Sequence, residues 1–228
     1  MNEKLIVALD RSSRDEILAL ADRLAGAAGM LKIGLQAYVA NGPSVVRELV
    51  GRGEKVFLDL KFHDIPNTAE SAVAEALALG ASIVNVHASG GPAMLRACRK
   101  ALPRGEALLL GVTVLTSLGG EDLEAVGFEK DPSTNVVRLA RLCQACGLDG
   151  VVVSPREIGL VRDACGEGFV ILTPGIRGAS DASGDQKRTM TPGEAIRAGA
   201  DYIVVGRPIT NATDPRSAAL RIVDEMSR

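Results

Sequence analysis

Eight short, apolar, β-rich runs recur along the chain and constrain its fold more than any other feature: LIVAL (5–9), MLKIG (30–34), KVFLDLK (55–61), SIVNVH (82–87), ALLLGVTVL (107–115), GVVVS (150–154), FVILTPG (169–175) and YIVVGR (202–207). Between them lie segments with the apolar spacing of helices, among them SRDEILALADRLAG, PNTAESAVAEALALG, GPAMLRACRKAL and NVVRLARLCQACG. Several of these end on glycine, as helices commonly do. Strands that are apolar throughout are buried on both faces, which is the condition of a parallel sheet covered by helices. Eight such units in 228 residues predict a single-domain α/β fold, a closed (β/α)8 TIM barrel over residues 1–228. An open, doubly wound sheet is the competing architecture. It calls for a glycine-rich turn after the first strand, and LIVALDRSS has no glycine. The stretch LGGEDLEAVGFEKDPST, after the fifth run, reads as an insert with a short helix.

Composition narrows the function classes. The chain is 46% hydrophobic and 24% charged, with a formal net charge of -2 and both signs interspersed. That is enough apolar material for a core and no broad field for nucleic acid or a membrane surface, so a bound anion is expected to be small and held locally. MNEKLIVALDRSSRDE lacks the long apolar stretch of a secretory signal, and no apolar run reaches membrane-spanning length, so the expected compartment is the cytoplasm. Of the four cysteines, Cys143 and Cys146 form a CxxC pair, but the pair closes a helical pattern where a redox pair would open one. With no second cysteine pair and only two histidines, a zinc site is not expected either, and all four thiols are read as buried and inert.

In a barrel of this kind, chemistry sits at the C-terminal ends of the strands. Asp10 closes the first run, Lys32 lies within the second, and Asp59 and Lys61 close the third. Thr116 and Ser117 follow the fifth, Arg177 the seventh, and Gly206-Arg207 close the eighth. Residues two apart on a strand share a face, so Asp59 and Lys61 are expected to point together into the barrel mouth, above Phe57. Charges placed there must be paired. Taken alone, that pair fits a structural plug as well as a catalyst; Lys32 on the next strand and Asp64 just beyond tip the reading toward a site. A second constellation, TPGIR at 173–177, the Gly/Ser/Asp-rich segment at 178–186 and Gly206-Arg207, fits a phosphate site with a closing lid.

The run DLKFHDIPNT at 59–68 resembles the signature of the orotidine 5′-monophosphate decarboxylase family, and the resemblance extends over the chain through ALD (8–10), LKIG (31–34), NVHASGG (85–91), LTS (115–117), TPGIR (173–177), GDQKR (184–188) and VVGRPI (204–209). It implies cofactor-free, metal-free decarboxylation of orotidine 5′-monophosphate to UMP, with Lys61 protonating C6 inside a network of Lys32, Asp59, Lys61 and Asp64. It implies a homodimer with shared sites, Asp64 entering the partner's site together with Thr68, and Ile65 among the substrate-binding residues. Asp10 and Lys32 would bind ribose hydroxyls. Thr116 or Ser117 would meet the pyrimidine, and Arg177, Gln186, Gly206 and Arg207 would hold the 5′-phosphate. His63 and His87 are expected to be structural, since the proton is already assigned to Lys61. A magnesium-dependent enzyme of pentulose or hexulose phosphates shares the Asp-x-Lys-x-x-Asp pattern, and a non-catalytic nucleotide sensor is the rival of another class.

Overall fold

A computed structural model of the chain describes residues 1–177 and 190–227. Eight parallel strands follow one another in chain order: β1 (Leu5–Ala8), β2 (Met30–Gly34), β3 (Val56–Phe62), β4 (Ile83–His87), β5 (Leu108–Val112), β6 (Gly150–Val152), β7 (Val170–Thr173) and β8 (Tyr202–Val205). β8 then pairs with β1 and closes the barrel, so the (β/α)8 architecture expected from the apolar runs is the one observed. Several strands stop short of their apolar runs at the mouth. β5 ends at Val112, and Val114 and Leu115 beyond it wall a cavity instead of extending the ladder.

The helices are α1 (Arg14–Leu24), α2 (Leu35–Asn41), α3 (Ser44–Gly51), α4 (Pro66–Ala78), α5 (Gly91–Ala101), α6 (Gly120–Ala125), α7 (Pro132–Ala145), α8 (Ile158–Cys165), α9 (Pro192–Arg197), α10 (Arg207–Thr210) and α11 (Pro215–Glu225). Their starts are written in side chains. Ser13 accepts the Glu16 N–H at the head of α1, Asp131 accepts from Ser133 and Thr134 at α7, and Asp214 accepts from Ser217 at α11. Each such cap stabilises its helix by about 0.5–2 kcal/mol. The insert after β5 contains α6, the short helix its sequence suggested.

Strand alternation sorts the core into two layers. Ile6, Phe57, Ile83, Leu110, Leu172 and Val204 fill the barrel, while their neighbours Val7, Leu58, Val84, Leu109, Ile171 and Ile203 pack outward under the helices. Burying each such side chain stabilises the fold by about 1.5–3 kcal/mol.

At the opposite end from the mouth, one arrangement occurs twice. Asp149, just before β6, accepts the Leu109 N–H of β5 at 2.7 Å and pairs with Arg99 of α5 at 2.7 Å. Asp201, just before β8, accepts the Ile171 N–H of β7 at 2.8 Å and pairs with Arg162 of α8 at 2.8 Å. Each carboxylate clasps two strands and a helix, and gives its buried guanidinium a partner of opposite charge.

All four cysteines are free thiols. Cys98, Cys143 and Cys146 are buried, as expected, but Cys165 is only partly so, because it is the last residue of α8 and lies beside the exposed turn at Gly166. Among the described residues, no helix is long and apolar enough to cross a membrane.

Candidate active site

The charged end of β3 is not a plain strand. Leu58 pairs with Val84, but Phe62 pairs with Val86, so β3 carries two more residues than β4 over this stretch and bulges. Lys61 sits in the bulge at φ 52°, where it is the one described non-glycine residue in the left-handed region. That conformation costs an L-residue about 1–2 kcal/mol. Asp59 and Lys61 do meet, as alternation led us to expect, with Lys61 Nζ donating to Asp59 Oδ1 at 2.6 Å. The cause is the bulge, not the simple two-residue period.

From this pair runs a chain of alternating charge. Lys32 Nζ lies 3.2 Å from Asp59 Oδ2 and 3.1 Å from Asp10 Oδ1. The order is Asp10, Lys32, Asp59, Lys61, and the two central side chains are 10% and 13% exposed. Burial alone would raise the Asp59 carboxyl's pKa; Lys32 and Lys61, with hydrogen bonds from Lys61 and Asn85, outweigh it and hold the group below the usual carboxylate range. Burial alone would lower the Lys32 ammonium's pKa, yet Asp59 and Asp10 hold it above its ordinary value. Both central groups therefore remain charged at neutral pH. Gly34 makes room for this chain, since a Cβ there would stand 2.8 Å from Lys32 Nζ and 3.1 Å from Asp10 Oδ1.

The charges floor one side of a cavity of about 470 Å³ at the barrel mouth, a size suited to a small organic ligand. The other side is apolar, formed by Val112, Val114, Val152, Leu172 and Val204 from β5 to β8 and their loops. Arg177, Gly206 and Arg207 line the same cavity, together with Arg11, which sequence reasoning passed over. Arg11 donates to the Thr210 carbonyl at 3.1 Å and to Asn211 Oδ1 at 2.7 Å, tying the loop after β1 to the end of α10. Above Gly206 the space is open, because a Cβ there would meet only Ala8 Cβ at 3.6 Å. The cavity suits a ligand with one polar edge, one flat apolar face and an anionic end.

Thr116 lines the cavity, whereas Ser117, beside it in the same turn, is exposed and does not. Asp64, Ile65 and Thr68 are exposed and outside the chain's own cavity. Among the described residues Asp64 forms no ion pair; its carboxylate accepts only the Ile65 N–H at 2.6 Å, so the fourth charge joined to the cluster within one chain is Asp10. Gln186 and the lid segment 178–186 lie outside the described residues, apart from which Arg177 is held by a backbone bond to Met190.

The family model described as "Orotidine 5'-phosphate decarboxylase / HUMPS family" matches residues 3–222. A Vibrio parahaemolyticus protein named orotidine 5′-phosphate decarboxylase is 50% identical over 230 residues, covering 100% of this chain and 99% of its own length. The chain belongs to the orotidine 5′-phosphate decarboxylase / HUMPS family. A Geobacter sulfurreducens protein of the same name is 51% identical over 229 residues, covering 98% of this chain and 96% of its own. The crystal structure of orotidine 5′-phosphate decarboxylase from Lactobacillus acidophilus superposes with a TM-score of 0.87 at 34% identity, covering 98% of this chain and 99% of that one.

Two features of this member of the decarboxylase family were not read from its sequence. Asn85 on β4 is fully buried and bonds both Asp59 and the Lys61 backbone; the signal was an asparagine interrupting the apolar run SIVNVH. His63 and His87, 24 positions apart, bring their rings within 5.2 Å at the rim, tilted by 39°. Burial, then His63 and Lys61, push His87 below the ordinary histidine range against a smaller pull from Asp59. It is thus held neutral, in keeping with a packing role.

Proposed function

We propose that this chain decarboxylates orotidine 5′-monophosphate to UMP and carbon dioxide, with Lys61 as the proton donor to C6. The observation that carries this reading is the Asp10–Lys32–Asp59–Lys61 chain, buried at its centre, on one side of a cavity whose far rim holds Arg177 and Arg207. The bond from C6 to the carboxylate breaks, its electron pair stays on C6, and Lys61 Nζ delivers a proton there; the resulting amine is recharged from water. No delocalisation is available to that carbanion, so a preorganised ammonium is the group the step needs. Asp59 keeps Lys61 in place by a direct charge-assisted bond. Asp10 and Lys32 bind the ribose hydroxyls, Thr116 meets the pyrimidine edge, and Arg177, Gly206 and Arg207 hold the phosphate, assisted by Gln186. Binding energy from that remote phosphate can be used to lower the barrier at C6.

The active unit in this reading is a homodimer. Asp64, Ile65 and Thr68 stand exposed, Ile65 by 67%, and the apolar Leu35 and Val39 of α2 are exposed as well. A second copy covering this surface would receive Asp64 beside its own Lys61, completing the network of Lys32, Asp59, Lys61 and Asp64, with Ile65 and Thr68 lining the same shared site.

The test is direct. Purified protein should convert orotidine 5′-monophosphate to UMP in the presence of EDTA, followed by absorbance, and Lys61→Ala should abolish turnover while UMP still binds. No loss of substrate, or a strict requirement for added magnesium with turnover of a hexulose phosphate, would overturn the assignment. Asp64→Asn mixed with Lys61→Ala should recover activity by forming mixed dimers with one intact site. Failure of that mixture would remove the shared-site reading alone.

A further inference from the structure

Inside β4, before His87 closes it, the apolar run is interrupted at one position. Ile83, Val84 and Val86 are fully buried, and so is Asn85 between them. A primary amide at such a place is costly unless both of its ends are bonded. Both are, and among the described residues only by the charged machinery: Oδ1 accepts the Lys61 backbone N–H at 2.8 Å, and Nδ2 donates to Asp59 Oδ1 at 2.7 Å.

We propose that Asn85 is the positioning residue that sets where the Lys61 ammonium stands, by clamping the Lys61 backbone and the Asp59 carboxylate to one rigid side chain. The role given to Lys61 rests on the decarboxylase reading above. The β3 bulge takes the Lys61 N–H out of register with β4, and Asn85 is what receives it. A backbone N–H can only donate and an ionised carboxylate can only accept, so a bridge between them needs an acceptor and a donor together. Asparagine carries both on separate atoms at the reach this gap requires, aspartate lacks the donor, and leucine lacks both. With the clamp gone, Lys61 is free to leave its left-handed conformation at φ 52°, which re-aims its side chain. Asp59 Oδ1 would also lose one of its two bonds, leaving only that from Lys61 Nζ.

None of this touches Arg177 or Arg207, so chemistry and ligand affinity should separate. Turnover of orotidine 5′-monophosphate and calorimetric binding of UMP are measured for the wild type, Asn85→Leu and Asn85→Asp. Asn85→Leu should lower kcat by about 100-fold, with UMP affinity within roughly threefold of wild type. Asn85→Asp keeps the acceptor but repels Asp59 when ionised, and regains a donor when protonated. Its kcat should therefore rise as pH falls from about 8 to about 6, a trend that the wild type should lack because Asp59 and Lys32 both keep their charge across that range. A wild type without turnover overturns the decarboxylase reading and this proposal with it. An active wild type alongside an unimpaired Asn85→Leu, or an Asn85→Asp profile parallel to wild type, overturns the proposal alone. If neither variant folds, wild-type amide exchange decides. Slow exchange at the Lys61 N–H supports the clamp, and exchange as fast as that of rim-loop amides refutes it.

Discussion

Replacing Gly34 by alanine adds one methyl group where the charge chain passes. The backbone there is extended, with φ -96° and ψ -176°, so alanine meets no conformational penalty. The Cβ would lie 2.8 Å from Lys32 Nζ and 3.1 Å from Asp10 Oδ1, both inside ordinary contact distance. The ammonium must retreat by about half an ångström, and it is held on its other side by Asp59 at 3.2 Å. Weakening a charge-assisted hydrogen bond costs about 1.5–3 kcal/mol when both partners are dry. Asp10 is 51% exposed, however, and water compensates much of its loss, which brings the stability cost to about 1 kcal/mol. In a chain of this size that is a fall of about 2–4 °C in Tm. The catalytic cost should be larger, about 10- to 100-fold in kcat/KM, because Lys32 also shifts against Asp59. Thermal unfolding and the orotidine 5′-monophosphate absorbance assay read the two effects. The control is Gly206→Ala, whose Cβ meets only Ala8 at 3.6 Å, so that its effect should appear in KM through the phosphate. Gly34→Ala with unchanged kcat/KM would refute the idea that this glycine exists to seat Lys32.

Acid should test the charge chain by stability. Asp59 has its pKa lowered on folding, so its contribution is full above the ordinary carboxylate range near pH 4 and is lost as pH falls through the lowered value; urea midpoints should drop there, and less steeply in Asp59→Asn. Lys32 has its pKa raised on folding, so its contribution is full at neutral pH and is lost only as pH rises beyond the ordinary lysine value of about 10.4. Burial pushes the Cys98 and Cys143 thiols up to about 11 and about 12, so thiol labelling of the native protein at pH 8 should modify Cys165 first and spare these two until unfolding. Asp149→Ala strands the Leu109 N–H and leaves Arg99 without its carboxylate, and should cost about 3–5 kcal/mol by urea unfolding. Its kcat should be unchanged at a temperature where the variant is folded.

The barrel was legible because eight doubly buried strands leave an unmistakable apolar trace, and the mouth charges were legible because each one ends such a trace. What escaped was backbone geometry. Alternation counts residues as if β3 were regular, so it placed Lys61 beside Asp59 without revealing the bulge or the left-handed Lys61 that brings them together. Asn85 escaped because an uncharged residue inside an apolar run looks like an interruption until both of its bonds are seen. Asp64 was assigned to a partner's site by the family resemblance, and in one chain it stands exposed outside the cavity, where the fourth charge of the cluster is Asp10. Thr116 and Ser117 were inseparable in sequence; the structure separates them, with Thr116 lining the cavity and Ser117 exposed.

The two Asp–Arg clasps draw on α5, β5 and β6 in one case and on α8, β7 and β8 in the other. The charge chain draws on β1, β2 and β3 and the residues that follow them, and its amide support on β4. The charge chain and the clasps are thus inherited on different stretches of the gene product. A recombination that joined the first four strands of another such barrel to this chain from α5 onward would import new chemistry and carry both clasps across intact, which gives the fold a seam along which its activities can diverge.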